Sequence, residues 1–239
     1  MIYINNKFNI MYFIIKRENN SKIIGTDFPQ AWKFTKEYKK ECDDANGIYS
    51  FFKRIQKNER PDFMPNLGGF ILSGRAKLTN IVSTPIPMLH MDNEAKEVFS
   101  VCNLGDSEFY KAQLYIKQRK IFTQILDYYY LCSFTDILDY IYFPGTIFRH
   151  EINLVEKQNV YVTGLSSFSA YEEYWQQNNK GLIYPQTITL KEGFDKTLDY
   201  FIIPKLNIFY GIASEKLKTM IEDNGITGLR FEPIEIIFK

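Results

Sequence analysis

Hydrophobic and polar positions are patterned most clearly near the C-terminal end. Leu217, Met220 and Ile221 recur at helical spacing after Ser214, and Leu229 and Phe231 then alternate with Arg230 and Glu232. Ser214 stands where an N-cap belongs, Glu215 adds negative charge to the first turn, and Asn224-Gly225 supplies a stop. The spacing therefore predicts strand, short capped helix and strand over residues 210–238, with Leu217 and Ile221 buried. The last strand is expected to break at Pro233 and resume through Ile234, Ile236 and Phe238 on the other phase.

The same reasoning gives a first strand at 11–16 and a turn at Asn19-Asn20-Ser21. Asp27-Phe28-Pro29 is expected to open a helix carrying Ala31, Phe34, Tyr38 and Cys42 on one side, ended by Asn46-Gly47. A second helical stretch, 49–55, leads to the polar loop 57–60. Alternation predicts a strand over 97–104 and a turn at Gly105-Asp106-Ser107. In the dense Tyr, Ile and Leu region 108–143, Phe122, Ile125, Leu126 and Tyr129 follow helical spacing, whereas Tyr128-Tyr129-Tyr130 suits a strand equally well; helix is the favoured reading. Pro144-Gly145 breaks the chain before strands at 146–154 and 160–163. Ser169 and Glu172 make a capping box for a helix with Tyr171, Tyr174 and Trp175 on one face. A strand at 187–190, a turn at Gly193, a helical piece at 195–202 and a strand at 206–212 complete the order. This alternation predicts an α+β fold, with a mixed or antiparallel sheet and several short helices.

A weak internal repeat accompanies it. Ile71, Ser73, Arg75, Lys77 and Pro85-Ile86 recur in order as Ile212, Ser214, Lys216, Lys218 and Pro233-Ile234. The expectation is one domain over 1–239, with two related halves near 1–104 and 105–239, and with the two Ser boxes in related strand–helix–strand surroundings.

Composition narrows the function classes. Net charge is +1, from 29 basic and 28 acidic residues, so no global field favours nucleic acid or an anionic membrane. The apolar run from Phe8 to Ile15 is interrupted by Asn9 and too short to span a bilayer; Met11 is an alternative start, which would make the first ten residues an extension. Cys42, Cys102 and Cys132 form no C-x-x-C pair and read as free thiols in a reducing, cytoplasmic setting. Aromatic residues reach 16%, with 17 Tyr and 20 Phe, enough to supply both a core and the anchors of a binding surface.

Motifs for chemistry are sparse. Gly68-Gly69 lacks the further glycines or the Gly-Lys-Ser/Thr of a phosphate cradle. Residues 164–168 reach only half of a nucleophile elbow and are read as the entry to the following helix. His90 and His150 lie in no metal motif, and His150 and Glu151, adjacent on a strand, should face opposite ways. Asp136 with Asp139, and Glu172 with Glu173, are the carboxylate pairs a hydrolase could use, though surface positions explain them as well. No catalytic, cofactor-binding or metal-ligating residue is assigned.

The two Ser-x-basic boxes, and above all the ending that joins Ile212-Ala213-Ser214-Glu215-Lys216-Leu217 to Gly225-x-x-Gly228-x-x-Phe231-x-Pro233, resemble a bacterial immunity-protein family of polymorphic toxin systems, first catalogued as a domain of unknown function. Pro61-Asp62-Phe63 before the first box matches the same family's front half; Gly74 and Ala213 depart from its pattern. The resemblance implies a non-enzymatic cytoplasmic protein that binds and neutralises a cognate toxin encoded by an adjacent gene, without a cofactor. It implies no toxin-binding residues. The Ser boxes look like fold determinants, with Ser73 and Ser214 as caps. A small hydrolase or carbohydrate-active enzyme using paired carboxylates is the alternative from another class.

Overall fold

The computed structural model describes residues 11–36, 39, 46–57, 59–65, 67–118, 121–153, 158–178 and 181–239. Among them are twelve strands and five helices, an α+β fold with two mixed sheets. The strands are β1 Tyr12–Arg17, β2 Ala31–Phe34, β3 Phe70–Leu72, β4 Leu89–Met91, β5 Ser107–Gln118, β6 Ile121–Ser133, β7 Ile147–Asn153, β8 Gln158–Val162, β9 Leu182–Leu190, β10 Tyr200–Ile203, β11 Ile208–Ser214 and β12 Leu229–Phe238. The helices are α1 Ser21–Ile24, α2 Ile48–Gln56, α3 Asn93–Ser100, α4 Phe168–Gln177 and α5 Glu215–Asp223. No helix among the described residues is long and apolar enough to cross a membrane.

The larger sheet runs β10-β11-β1-β12-β9-β7-β8 and the smaller β2-β3-β5-β6-β4. β1 therefore inserts the start of the chain between two strands of its end. β12 serves both neighbours in turn: residues through Ile234 pair antiparallel with β1, and Glu235 to Phe238 pair parallel with β9. Pro233 stands opposite Phe13 in one continuous strand, so the expected break is instead a change of partner. Ile234, Ile236 and Phe238 face the apolar core under α4, whereas Leu229 and Phe231 face the core between the sheets. That second core draws Ile15, Tyr200, Ile202 and Ala213 from the large sheet, Leu89, Met91 and Leu131 from the small one, and the apolar sides of α3 and α5. It makes the two sheets one body.

The C-terminal reading holds. Ser214 Oγ accepts from Leu217 N at 3.2 Å, Leu217 and Ile221 are buried, and Asn224 closes α5 before Gly225 in the left-handed region. β1, α2, β7 and β8 also lie close to where expected, β9 contains the expected strand at 187–190 but begins five residues earlier at Leu182, and the turns at Asn19-Asn20-Ser21 and Gly193 are close to their predicted places, Asn20 capping α1.

Five expectations are corrected. Residues 31–34 form an edge strand rather than a helix: Ala31, Lys33 and Phe34 pair with Leu72, Ile71 and Phe70, and the Phe34 and Phe70 rings meet at 4.8 Å. Tyr38 and Cys42 lie outside the described residues. Residues 97–100 belong to α3, because Asp92 caps Ala95 N at 3.0 Å and Ala95, Val98 and Phe99 form a three-to-four-residue stripe. Residues 107–118 and 121–133 are two long antiparallel strands; Tyr128 and Tyr130 of the second are buried by cross-strand and interlayer packing that overrides helical spacing. Residues 200–203 are strand β10, all four buried against β11. The cap of α4 is Ser167, accepting from Ala170 N at 3.2 Å, two residues before Ser169.

The two Ser boxes do not share surroundings. After Ser214 comes α5; after Ser73, whose N–H donates to Gln30 O at 2.9 Å, the chain turns and reaches no helix before α3. Gly74-Arg75-Ala76-Lys77 lacks the apolar stripe that folds Leu217, Met220 and Ile221 onto the sheet. Ser73 is therefore no helix cap.

Candidate binding groove

α2 is amphipathic by sequence: Ile48, Phe51, Phe52 and Ile55 repeat at helical spacing and are buried against the small sheet. Its outward side carries Tyr49, Ser50, Lys53 and Gln56. Opposite stands Pro85-Ile86-Pro87, whose two prolines fix their own φ angles and stiffen the segment. Between these walls lies a groove of 460 Å³, with Phe34 also in its lining. A neighbouring recess shares Gln56 and Pro87 and continues past Met88 towards Pro204 and Phe209.

Arg17, at the end of β1, holds the proline wall. Its Nη1 donates to the Thr84 carbonyl and to Ile86 O, the latter at 3.3 Å. Its guanidinium lies 4.7 Å from the Phe28 ring centre and 4.3 Å from that of Tyr210. Burial lowers the Arg17 pKa, partly opposed by Tyr210, which burial in turn raises. A cation of the large sheet thus pins a loop of the small one. The groove itself is apolar and aromatic, with Lys53, Ser50 and Gln56 as its polar points, a lining suited to an extended apolar segment.

The groups considered for chemistry are placed elsewhere. Asp136 caps the Leu138 N–H at 2.9 Å; it, Asp139, Glu172 and Glu173 are all exposed. His150 and Glu151 do face apart: His150 Nδ1 is 3.2 Å from Tyr174 Oη of α4, whereas Glu151 accepts from Arg149 Nη2 at 2.6 Å and from Tyr184. Burial works to raise the Glu151 carboxyl, but Tyr184, Arg149 and Lys16 outweigh it and hold it ionised below its ordinary value. His90 is fully buried in the small-sheet core. Cys132 is buried and Cys102 partly so, its thiol 3.6 Å from Met220 Sδ. Among the described residues no three His, Cys, Asp or Glu side chains gather as a metal site requires.

The Ser214-x-Lys216 box has a structural explanation. Asp199 accepts from Ser214 Oγ at 2.8 Å, from Lys216 Nζ at 2.7 Å and from Asn103 N at 2.9 Å, tying α5 to β10 and to the segment after α3. Burial pushes the Asp199 carboxyl up, yet these three hydrogen bonds prevail and lower it. A depressed carboxylate stabilises the fold above its unfolded value, and this contribution is lost as pH falls through the folded value. Ser214→Ala is expected to cost about 1.5 kcal/mol and Asp199→Ala about 3 kcal/mol, read by urea denaturation at pH 7. Equal and negligible losses would show that the clamp does not hold α5.

Sequence reasoning missed the groove. Its parts come from three separated stretches, and Pro85-x-Pro87 beside an amphipathic helix was the one available signal. The chain matches no protein-family model and no curated protein.

Proposed function

We propose that this protein is a stoichiometric inhibitor that binds and neutralises a cognate toxin, encoded by the adjacent gene, in the cytoplasm. The groove between α2 and Pro85-Ile86-Pro87 carries the reading: a rigid aromatic and proline-lined trench matches the anchors that dominate protein interfaces. The resemblance of the C-terminal motif to immunity proteins supports the same class, and the candidate carboxylates and His150 have evident structural partners or surface positions. A toxin segment lying along the groove would form the centre of an interface of roughly 1,200 to 2,000 Å².

Expression of the adjacent toxin in a susceptible host, with and without this protein, tests the reading. Rescue should require enough protein to occupy the toxin, and the complex should survive gel filtration. Tyr49→Glu, on the outer side of α2, should weaken binding about 30-fold while leaving the thermal transition in place. Rescue by amounts far below the toxin's would point to turnover and overturn the inhibitor reading. Unchanged affinity in Tyr49→Glu would remove the groove from the interface.

A further inference from the structure

Arg17 carries a charge into the joint between the sheets, and its neighbours hold it there without neutralising it. Phe28 and Tyr210 place their rings against its guanidinium, and the Thr84 and Ile86 carbonyls accept from its Nη1. Among the described residues no carboxylate pairs with it. Glu18, next in the chain, is committed elsewhere, accepting from Asn19 N at 2.9 Å and Asn20 N at 2.8 Å. A buried cation without a counter-charge is costly, so this position favours whatever brings it one.

Polar atoms beside it are also unsatisfied. Arg17 Nε, Thr84 Oγ1 and Tyr130 Oη are buried and meet no hydrogen-bonding group among the described residues. They share one neighbourhood. Thr84 is the residue whose carbonyl accepts from Arg17, and both the Thr84 hydroxyl and the Arg17 charge lie near enough to the Tyr130 phenol to oppose the upward shift that burial gives it. Thr84 and Tyr130 have no exposed surface. Buried polar atoms are ordinarily satisfied by protein, ordered water or an ion. All three groups here can donate, the guanidinium directly and the hydroxyls by turning their protons. Donors gathered beside an unneutralised cation select an anion over a water molecule, which would leave the charge unbalanced.

We propose that Arg17 Nε, Thr84 Oγ1 and Tyr130 Oη form an internal site for one small monovalent anion of the chloride class, at the joint between the two sheets. Its single charge matches that of Arg17. Complete burial of both hydroxyl-bearing residues favours an ion that sheds its water readily, which chloride and bromide do at lower cost than phosphate or sulfate. Bound there, the anion links β1 of the large sheet to β6 of the small one and to the residue that precedes Pro85 of the groove wall. The site depends on no toxin.

Urea unfolding of the full chain at constant ionic strength, with sodium gluconate exchanged stepwise for sodium chloride, reads the site through its linkage to folding. The midpoint should rise with chloride and then saturate. Thr84→Val and Tyr130→Phe each remove one donor with little change of shape and should weaken the apparent chloride affinity about tenfold, whereas Thr84→Ser should keep it. Crystals grown in sodium bromide should show an anomalous scattering peak within hydrogen-bonding reach of Arg17 Nε in the parent, and a fainter one in Thr84→Val. If a variant does not fold, the bromide peak of the parent still decides. A midpoint indifferent to the exchange, a chloride response that survives undiminished in both hydroxyl variants, or bromide found only elsewhere, an adventitious ion only, would each overturn the proposal.

Discussion

Replacing His90 with phenylalanine should leave the protein about as stable as before at pH 7 and more stable than the parent by about 3 kcal/mol at pH 4. His90 lies on β4 opposite Tyr130, has no exposed surface, and stacks on the Tyr130 ring at 4.5 Å with an interplanar angle of 18°. Tyr128 at 4.9 Å and Phe70 at 6.2 Å complete its aromatic surroundings. Neither ring nitrogen meets a hydrogen-bonding group of the protein. Burial alone lowers its pKa to about 3, so the ring stays neutral in the folded chain while the unfolded chain takes up a proton below about 6.5. The unfolded state then binds more protons, and stability falls as pH drops from 6.5 towards 3; above 6.5 this group contributes no slope. Phenylalanine does not titrate and removes two uncompensated polar atoms, a gain of about 1 to 3 kcal/mol, offset at neutral pH by the larger ring in a close-packed core. Urea midpoints of both proteins at pH 7 and pH 4 check this. Because Asp199 and the other carboxylates titrate alike in the two proteins, parallel loss of stability would mean that His90 gains its proton while folded.

His90 also shows where sequence reading stops. That it sits in no metal motif was visible from its neighbours, but its burial follows from pairing β4 with β6, and β6 was read as helix. Leu126 and Tyr129 are spaced as in a helix, yet Tyr128 and Tyr130 are the residues that enter the small-sheet core. Period two was present and was masked by apolar residues on both faces, because Tyr129 packs towards the core between the sheets. At 31–34 the error has a different origin: a four-residue strand is too short to display a period, and its conformation comes from Phe70 to Leu72 across the ladder. α5 was legible because its cap, stripe and stop all lie within eleven residues, Ser214 to Asn224.

The groove is the opposite case. Phe34, Tyr49, Gln56 and Pro87 are ordinary residues of three local segments, and only packing on the small sheet brings them together. Arg17 could not have been singled out either, since its role depends on β1 lying beside both β11 and β12, which presents it to carbonyls 67 and 69 residues away. Non-local pairing therefore creates the candidate surface, while local signals account for the one helix that walls it.

The same joint between the sheets gives the second large effect, at Gly228. Gly228→Ala should destabilise the protein by at least about 4 kcal/mol, whereas Gly225→Ala, three residues earlier, should cost only about 1 kcal/mol. Both glycines have positive φ, +102° and +66°, so each substitution meets backbone strain. At Gly225 an added Cβ finds nothing within 4 Å; at Gly228 it would lie 1.9 Å from the Ile81 carbonyl oxygen and 2.9 Å from its carbon. That contact is backbone and cannot rotate away. Gly228 is held there from both sides: its carbonyl accepts from Glu18 N at 2.9 Å, and Ile81 N donates to Thr227 O at 3.0 Å. Asn80 Oδ1 adds bonds from Thr227 N at 3.0 Å and Thr227 Oγ1 at 2.9 Å. Relieving the clash means separating residues 79–81 from 227–228, which opens the core shared by Ile81, Ile15 and Leu89. Urea unfolding of the two variants beside the parent decides the matter: losses within about 1 kcal/mol of each other would mean that strain at positive φ, rather than this contact between the sheets, sets the requirement for glycine.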